Sequence, residues 1–579
     1  MKKWFLGVLT GFFLAFLLLI AAGLSSWYLR ERPPDVRDNS TLVVEIEGDL
    51  PERAPADLPG QLLGRPGQLT LLSVVRNIEK AALDRRITAI LLKPRDLQIG
   101  WAKLQQLRDA LDDFQGHGKK LTAVLDVAES REYYLATAAQ DVVLSPAGVL
   151  DLKGMRAEVM FFKDGLAKLG VQADLEQIGA YKNFADQFKD NRMSDAFREA
   201  TTSMLDSIYG NFLQAVATAR GKTPDEMRTV IEETGPFEPE RAVAAGLVDD
   251  LRYEDEVLDR LRQESGDAEL HKISLEDYER VPASSVGLDK GDRIALVYAV
   301  GNITAGETGF DPMLSGETLG SKTMADILET VGKDDSIKGV LVRIDSPGGD
   351  AFASDDIWRH MNLLHDKKPM VFSMSDTAAS GGYYIAMTGD PIVAEPGTVT
   401  GSIGIVYGKL NLKGLYDKLG INKEIISRGR FSTMDSDYNP YSPAERERVR
   451  GLMDNFYQDF IRKVGTARKM TPEEVDRIAQ GRVWTGEQAQ QNGLVDELGG
   501  YDRALELLKQ KAGIAASAPV ELVEFPQRKS LWELLLNRAG AEQMHVPSIL
   551  ARWLVQWEKL ESMARRPLWA WLPVSFEFQ

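Results

Sequence analysis

The sequence predicts an α/β fold, built as a tandem duplication of one domain behind a single N-terminal transmembrane helix. Three observations carry this. Apolar strand-like runs alternate with stretches of helical spacing, the pattern of βαβ units and a parallel sheet. The same motifs recur in the same order about 250 residues later. An almost unbroken apolar run, residues 4–29, follows Lys2 and Lys3. At 579 residues the chain exceeds what one core can organise, and each part is long enough to bury its own.

The apolar run is longer than the roughly 7–15 residues of a cleaved signal's core and suffices to cross a bilayer. It reads as a retained signal anchor. Lys2 and Lys3 keep the N-terminus cytoplasmic, and everything after residue 30 is expected outside the cytoplasm. Residues 30–40 and 51–67, rich in Pro, Arg, Asp and Gly, read as linker and loop. Between them 41–47 is a strand. Residues 71–85 have helical spacing, 87–92 is a strand, 104–114 a helix and 121–125 a strand.

The order then repeats. Ile87-Thr-Ala-Ile-Leu-Leu resembles Ile337-Lys-Gly-Val-Leu-Val, and Tyr133-Tyr-Leu-Ala resembles Tyr383-Tyr-Ile-Ala. Lys168-Leu-Gly-Val matches Lys418-Leu-Gly-Ile, and Gly246-Leu-Val-Asp matches Gly493-Leu-Val-Asp. Thr218-Ala-Arg-Gly-Lys-Thr-Pro-Asp-Glu matches Thr466-Ala-Arg-Lys-Met-Thr-Pro-Glu-Glu. So long a period indicates two homologous domains rather than a solenoid. The expected divisions are an anchor (1–30), an N-terminal α/β repeat (31–265), a polar linker (266–292), a C-terminal α/β repeat (293–515) and a Trp-rich tail (516–579).

Differences between the copies point to chemistry. Residues 369–374 form an apolar strand leading to Ala379-Ser380-Gly381-Gly382, followed by an apolar segment of helical length. A strand, a tight turn and a helix would expose the serine Oγ beside outward-facing N–H groups, the needs of a nucleophile. Ser130 holds the matching place in the first copy, but Arg131 and Glu132 follow it, and a glutamate there would repel a developing oxyanion. The second copy also has Ser346-Pro347-Gly348-Gly349, where the first has no glycine pair. Gly349 and Gly381 are the candidate oxyanion donors. Gly401-Ser402-Ile403-Gly404 reads equally as cleft lining or as a structural turn.

The base is less plain. There is no cysteine, and the five histidines form no metal-ligand spacing, so thiolate chemistry is excluded and neither a metal nor a cofactor is expected. A desolvated lysine can act as a base once burial depresses its pKa. Lys182 in the first copy is such a candidate, because Arg430 at the matching place could not give up its proton. A net charge of −17 argues against a nucleic-acid partner.

Taken together, the anchor, both repeats, Tyr181-Lys182, Ser346-Pro347-Gly348-Gly349, Ala379-Ser380-Gly381-Gly382-Tyr383 and Thr400-Gly401-Ser402-Ile403-Gly404 resemble the signal peptide peptidase A (protease IV) family in its long, duplicated form. The resemblance implies a Clp protease/crotonase-like domain in each repeat. It implies a serine endopeptidase in which Ser380 is the nucleophile and Lys182, from the other repeat, the general base. It further implies peptide substrates such as released signal peptides, a homotetramer, and a single-pass protein of the bacterial inner membrane with periplasmic catalytic domains. Two other classes stay open: a crotonase-type acyl-thioester enzyme and a non-catalytic membrane scaffold.

Overall fold

The computed structural model of the chain describes residues 34–54, 68–311, 316–527 and 568–571. The expected transmembrane helix lies outside them. No helix among the described residues is long and apolar enough to cross a membrane.

Each repeat is built on a sheet. The N-terminal sheet has six strands in the order Asp250–Leu251, Asp141–Leu150, Lys120–Ala128, Ile87–Arg95, Ser40–Glu47 and Lys272–Ser274, parallel at every pairing. The C-terminal sheet repeats the plan: Val483–Thr485, Val399–Gly401, Met370–Ala379, Ile337–Ser346, Asp292–Val300 and Val520–Phe525. Its central strands carry runs buried on both faces, such as Met370, Val371, Phe372 and Met374, as parallel sheets flanked by helices require. The duplication extends to single hydrogen bonds. Tyr133 Oη donates to the Leu247 carbonyl at 2.7 Å, and Tyr383 Oη to that of Leu494 at 2.8 Å. The Thr-Pro motif found in both copies is a helix start. Thr223 with Glu226, and Thr471 with Glu474, each form a reciprocal cap over a helix-opening proline.

Two of the expected divisions are drawn differently by the chain. Within 266–292, expected as a linker, strand Lys272–Ser274 pairs with the first strand of the N-terminal sheet. Ile273, Leu275, Tyr278 and Val281 are buried in that repeat's core. Within 516–579, expected as a tail, strand Val520–Phe525 closes the C-terminal sheet in the corresponding way. In both copies a few alternating apolar residues suffice for an edge strand, although polar neighbours mask them in the sequence.

A further sheet joins the repeats. Strand Gln172–Ile178 of the N-terminal repeat runs antiparallel to Ile405–Asn411 of the C-terminal one, from Gln172 opposite Asn411 to Ile178 opposite Ile405. Arg446 and Arg450 brace this junction against Asp174 and Glu176. Strand Leu568–Trp571 pairs antiparallel with both Ile405–Asn411 and Gly348–Asp350. Trp532, Trp553 and Trp557 of the Trp-rich stretch lie outside the described residues.

Candidate active site

Ser380 ends the central strand Met370–Ala379 and opens a helix of one turn, Gly381–Tyr384, shorter than the helix expected there. Its backbone sits at φ 55°, ψ −114°. This positive-φ region is costly for a residue with a Cβ and persists only when its surroundings impose it. Here the Ser380 N–H donates to the Gly401 carbonyl at 2.8 Å, while Tyr384 N–H donates to the Ser380 carbonyl at 2.8 Å. The turn is therefore held from both sides.

The adjoining glycines are needed for close packing. A Cβ on Gly382 would stand 2.4 Å from the Ser346 carbonyl oxygen, and one on Gly349 2.1 Å from that of Ile303. Glycine lets the Ser380 turn and the glycine loop lie backbone against backbone. Ser346 Oγ stabilises the loop, donating to the Gly301 carbonyl at 2.7 Å and accepting the Gly348 N–H at 3.2 Å.

Lys182 comes from the other repeat. The junction strand Gln172–Ile178 delivers it, and a turn closed by Lys182 N–H to the Gly179 carbonyl aims it inward. Tyr181 N–H donates across the junction to the Gln480 carbonyl at 2.8 Å. Gly481 (φ +76°) lies so close that a Cβ would be 2.5 Å from Lys182 Cβ. Lys182 Nζ ends 2.8 Å from Ser380 Oγ, and it donates to the Ser402 carbonyl and lies against Ser402 Oγ, each at 2.8 Å. Lys182, Ser380 and Ser402 are all buried. Burial pushes the Lys182 pKa well below its usual 10.5, since a desolvated ammonium is unfavourable.

Ser402, which the sequence leaves between cleft and turn, thus belongs to the site. It also adopts a positive φ of 52°, and its N–H donates to the Arg482 carbonyl at 2.7 Å. Its place between Gly401 and Gly404 is the available signal, but nothing local tells that it faces a lysine far away in the chain.

The first copy is built the other way. Glu132, in place of Gly382, accepts the Leu97 N–H at 2.6 Å and the Glu129 N–H at 3.0 Å. A fixed carboxylate thus takes up one donor of the loop that corresponds to the glycine loop of the second copy and one from the residue before Ser130. Ser130 is buried inside helix Ser130–Ala136, and Arg430 is exposed in the segment after Leu419. Among the described residues no group of His, Cys, Asp and Glu could hold a metal ion.

A buried serine oxygen at hydrogen-bond distance from a buried, pKa-depressed amine can be deprotonated for attack on a carbonyl. Comparisons with known proteins give the family. The model of peptidase family S49 matches residues 113–267 and again 362–515. The chain is 34% identical over 522 residues to Arabidopsis thaliana "Serine protease SPPA, chloroplastic", covering 89% of this chain and 75% of that one. It is 31% identical over 527 residues to Salmonella typhi "Protease 4", covering 86% and 83%. Among solved structures, a point mutant of ClpP1 from Listeria monocytogenes aligns over 36% of this chain and 94% of its own at 13% identity, with a TM-score of 0.24.

Proposed function

The chain belongs to peptidase family S49 and is a serine endopeptidase; on that premise we propose that it works through a Ser380–Lys182 dyad assembled from its two repeats. The observation that carries the reading is the 2.8 Å approach of Lys182 Nζ to Ser380 Oγ in a buried setting. As a neutral amine, Lys182 has two N–H donors and one lone pair. The donors satisfy the Ser402 carbonyl and Ser402 Oγ, which leaves the lone pair for the Ser380 hydroxyl proton.

In the first step that proton passes to Nζ while Oγ bonds to the peptide carbonyl carbon. The N–H groups of Gly349 and Gly381 bind the oxyanion, and each such donor is typically worth about 2.7–4 kcal/mol of barrier. Lys182 then returns the proton to the leaving amine as the C–N bond breaks; water, deprotonated by Lys182, attacks the acyl carbon, and the bond to Ser380 Oγ breaks as Oγ takes that proton back. A crotonase-type reaction would need the oxyanion loop but no nucleophile–base pair. The Lys182–Ser380 approach favours the peptidase.

An extended peptide would take the place that strand Leu568–Trp571 holds between two strands beside the site. Strands Gly348–Asp350 and Ile405–Asn411 both accept an antiparallel neighbour, as their pairing with Leu568–Trp571 illustrates, and main-chain pairing of this kind is sequence-tolerant. We read each repeat as a Clp protease/crotonase-like domain and the substrates as apolar peptides, released signal peptides foremost. The working form is a homotetramer anchored by residues 4–29, with its catalytic domains on the periplasmic side of a bacterial inner membrane. The test is cleavage of a fluorogenic apolar peptide by the full chain and by Ser380→Ala and Lys182→Arg. Both variants should be folded and inactive. Turnover by Ser380→Ala would reject the nucleophile, and normal turnover by Lys182→Arg would reject the base.

A further inference from the structure

Two carboxylates stand at matching places beside the reacting groups. Asp345 lies four residues before Gly349, and Asp376 four residues before Ser380. Both meet the first turn of helix Trp101–Gly116, which belongs to the N-terminal repeat. Lys103 Nζ is 3.0 Å from Asp345 Oδ2 and 3.5 Å from Asp376 Oδ2. The Lys103 backbone N–H donates to Asp376 Oδ1 at 3.0 Å. Asp345 Oδ1 in turn accepts the Thr377 N–H at 3.1 Å, tying the strand of the glycine loop to the strand of the serine. The contact is built for closeness: a Cβ on Gly100 would stand 2.2 Å from the Asp376 carboxylate. The Lys103 side chain is only 7% exposed, so its charge acts with little screening by water.

The first copy handles the same two positions differently. Arg95 and Asp126 correspond to Asp345 and Asp376, and they pair directly, Arg95 Nη2 to Asp126 Oδ2, at 3.1 Å. In the copy without the dyad serine, loop and strand are tied by opposite charges inside the repeat. In the copy with it, both positions are acidic. Two carboxylates so close repel one another, and the cation that reconciles them is supplied by the other repeat. One helical turn further, Gln106 accepts from Arg343, whose guanidinium also holds Glu52, Ser373 and Ser375. The same helix therefore grips the two strands at successive levels.

We propose that Lys103 is a positioning residue of the peptidase, which holds the Gly349 loop and the Ser380 strand in register and so makes the serine-bearing repeat competent only while the N-terminal repeat is docked on it. This rests on Ser380 and Gly349 being the reacting serine and an oxyanion donor. The dependence on the N-terminal repeat is then double: it lends Lys182 to the serine and Lys103 to the strands that carry the serine and the glycine loop.

The test uses the full chain with three changes: Lys103→Met, Lys103→Met with Asp345→Arg, and Ser380→Ala. The double variant recreates in the second copy the Arg–Asp pair of the first. Lys103→Met should lower kcat about tenfold or more with KM little changed, as loss of alignment does. Its acid-limb midpoint in the pH–rate profile should stay that of the parent, because the Lys182 contacts are untouched. The double variant should recover kcat to within about threefold of the parent. A Lys103→Met chain as active as the parent overturns the proposal. So does a double variant that melts like the parent yet is no faster than Lys103→Met. Should Lys103→Met not fold, the double variant decides: folded and active supports the clamp, while folded and inactive, or unfolded, overturns it. An active Ser380→Ala would sink the underlying serine assignment; an inactive Ser380→Ala beside a fully active Lys103→Met sinks the clamp alone.

Discussion

In the proposed dyad Lys182 is the base, and its burial also carries a stability cost. Its pKa is depressed by burial alone, with no carboxylate to hold its charge. The unfolded chain keeps the lysine proton up to about 10.4, while the folded chain gives it up at a lower pH. Between the two values the unfolded state binds more protons, so stability rises with pH across that window, and below it the penalty of a buried ammonium is felt in full. Lys182→Met should therefore melt higher than the parent at neutral pH, and the gap should shrink as pH approaches 10.5. A melting series that shows no gap, or a widening one, contradicts the depressed pKa. Peptidase activity should rise with pH through the same folded-state value. Ser402→Ala removes one partner of the amine and should cost about 1–3 kcal/mol of alignment or desolvation, roughly a 5–150-fold loss in kcat, with the chain still folded. An unchanged kcat would show that Ser402 only fills space.

At the scale of elements, the turns do the positioning and their glycines can be tested by what a methyl group would strike. Gly481→Ala forces a Cβ against Lys182 from a positive φ and should depress activity strongly. Gly451→Ala, within helix Pro443–Arg468 and with open space around it, should leave activity alone and raise stability by about 0.5–1 kcal/mol. Equal behaviour of the two in a side-by-side melt and assay would refute the packing argument. Much of this level is legible in the sequence. The strands 41–47, 87–92 and 121–125 and the helices 71–85 and 104–114 fall within or overlap Ser40–Glu47, Ile87–Arg95, Lys120–Ala128, Leu71–Leu83 and Trp101–Gly116, because their apolar periods are local. The segment after Ser380 reads as a longer helix than the one turn it forms, since Ile385, Ala386 and Met387 are apolar and helix-compatible but pack as turns in the core. The edge strand Lys272–Ser274 is not legible, because its pairing partner lies in the first strand of the repeat, far earlier in the chain.

At the scale of the molecule, the duplication and the family resemblance together point to Ser380 and Lys182. Comparing two copies within one chain separates Ser380 with its glycines from Ser130 with Glu132, and it draws attention to a lysine that only one copy has. What the sequence does not convey is contact across the junction: Ser402 against Lys182, and Lys103 between Asp345 and Asp376, depend on strand Gln172–Ile178 and helix Trp101–Gly116 reaching the other repeat. On the proposed dyad, the consequence is a peptidase whose parts are individually incomplete. The most direct measurement is the rate at which a fluorophosphonate labels Ser380 as a function of pH, in the parent and in Lys182→Met. Labelling in the parent should rise with a midpoint well below 10.5, and in Lys182→Met it should be at least about 100-fold slower and lack that midpoint. Equal labelling of the two, with the same pH dependence, would contradict a serine activated by a lysine from the other repeat.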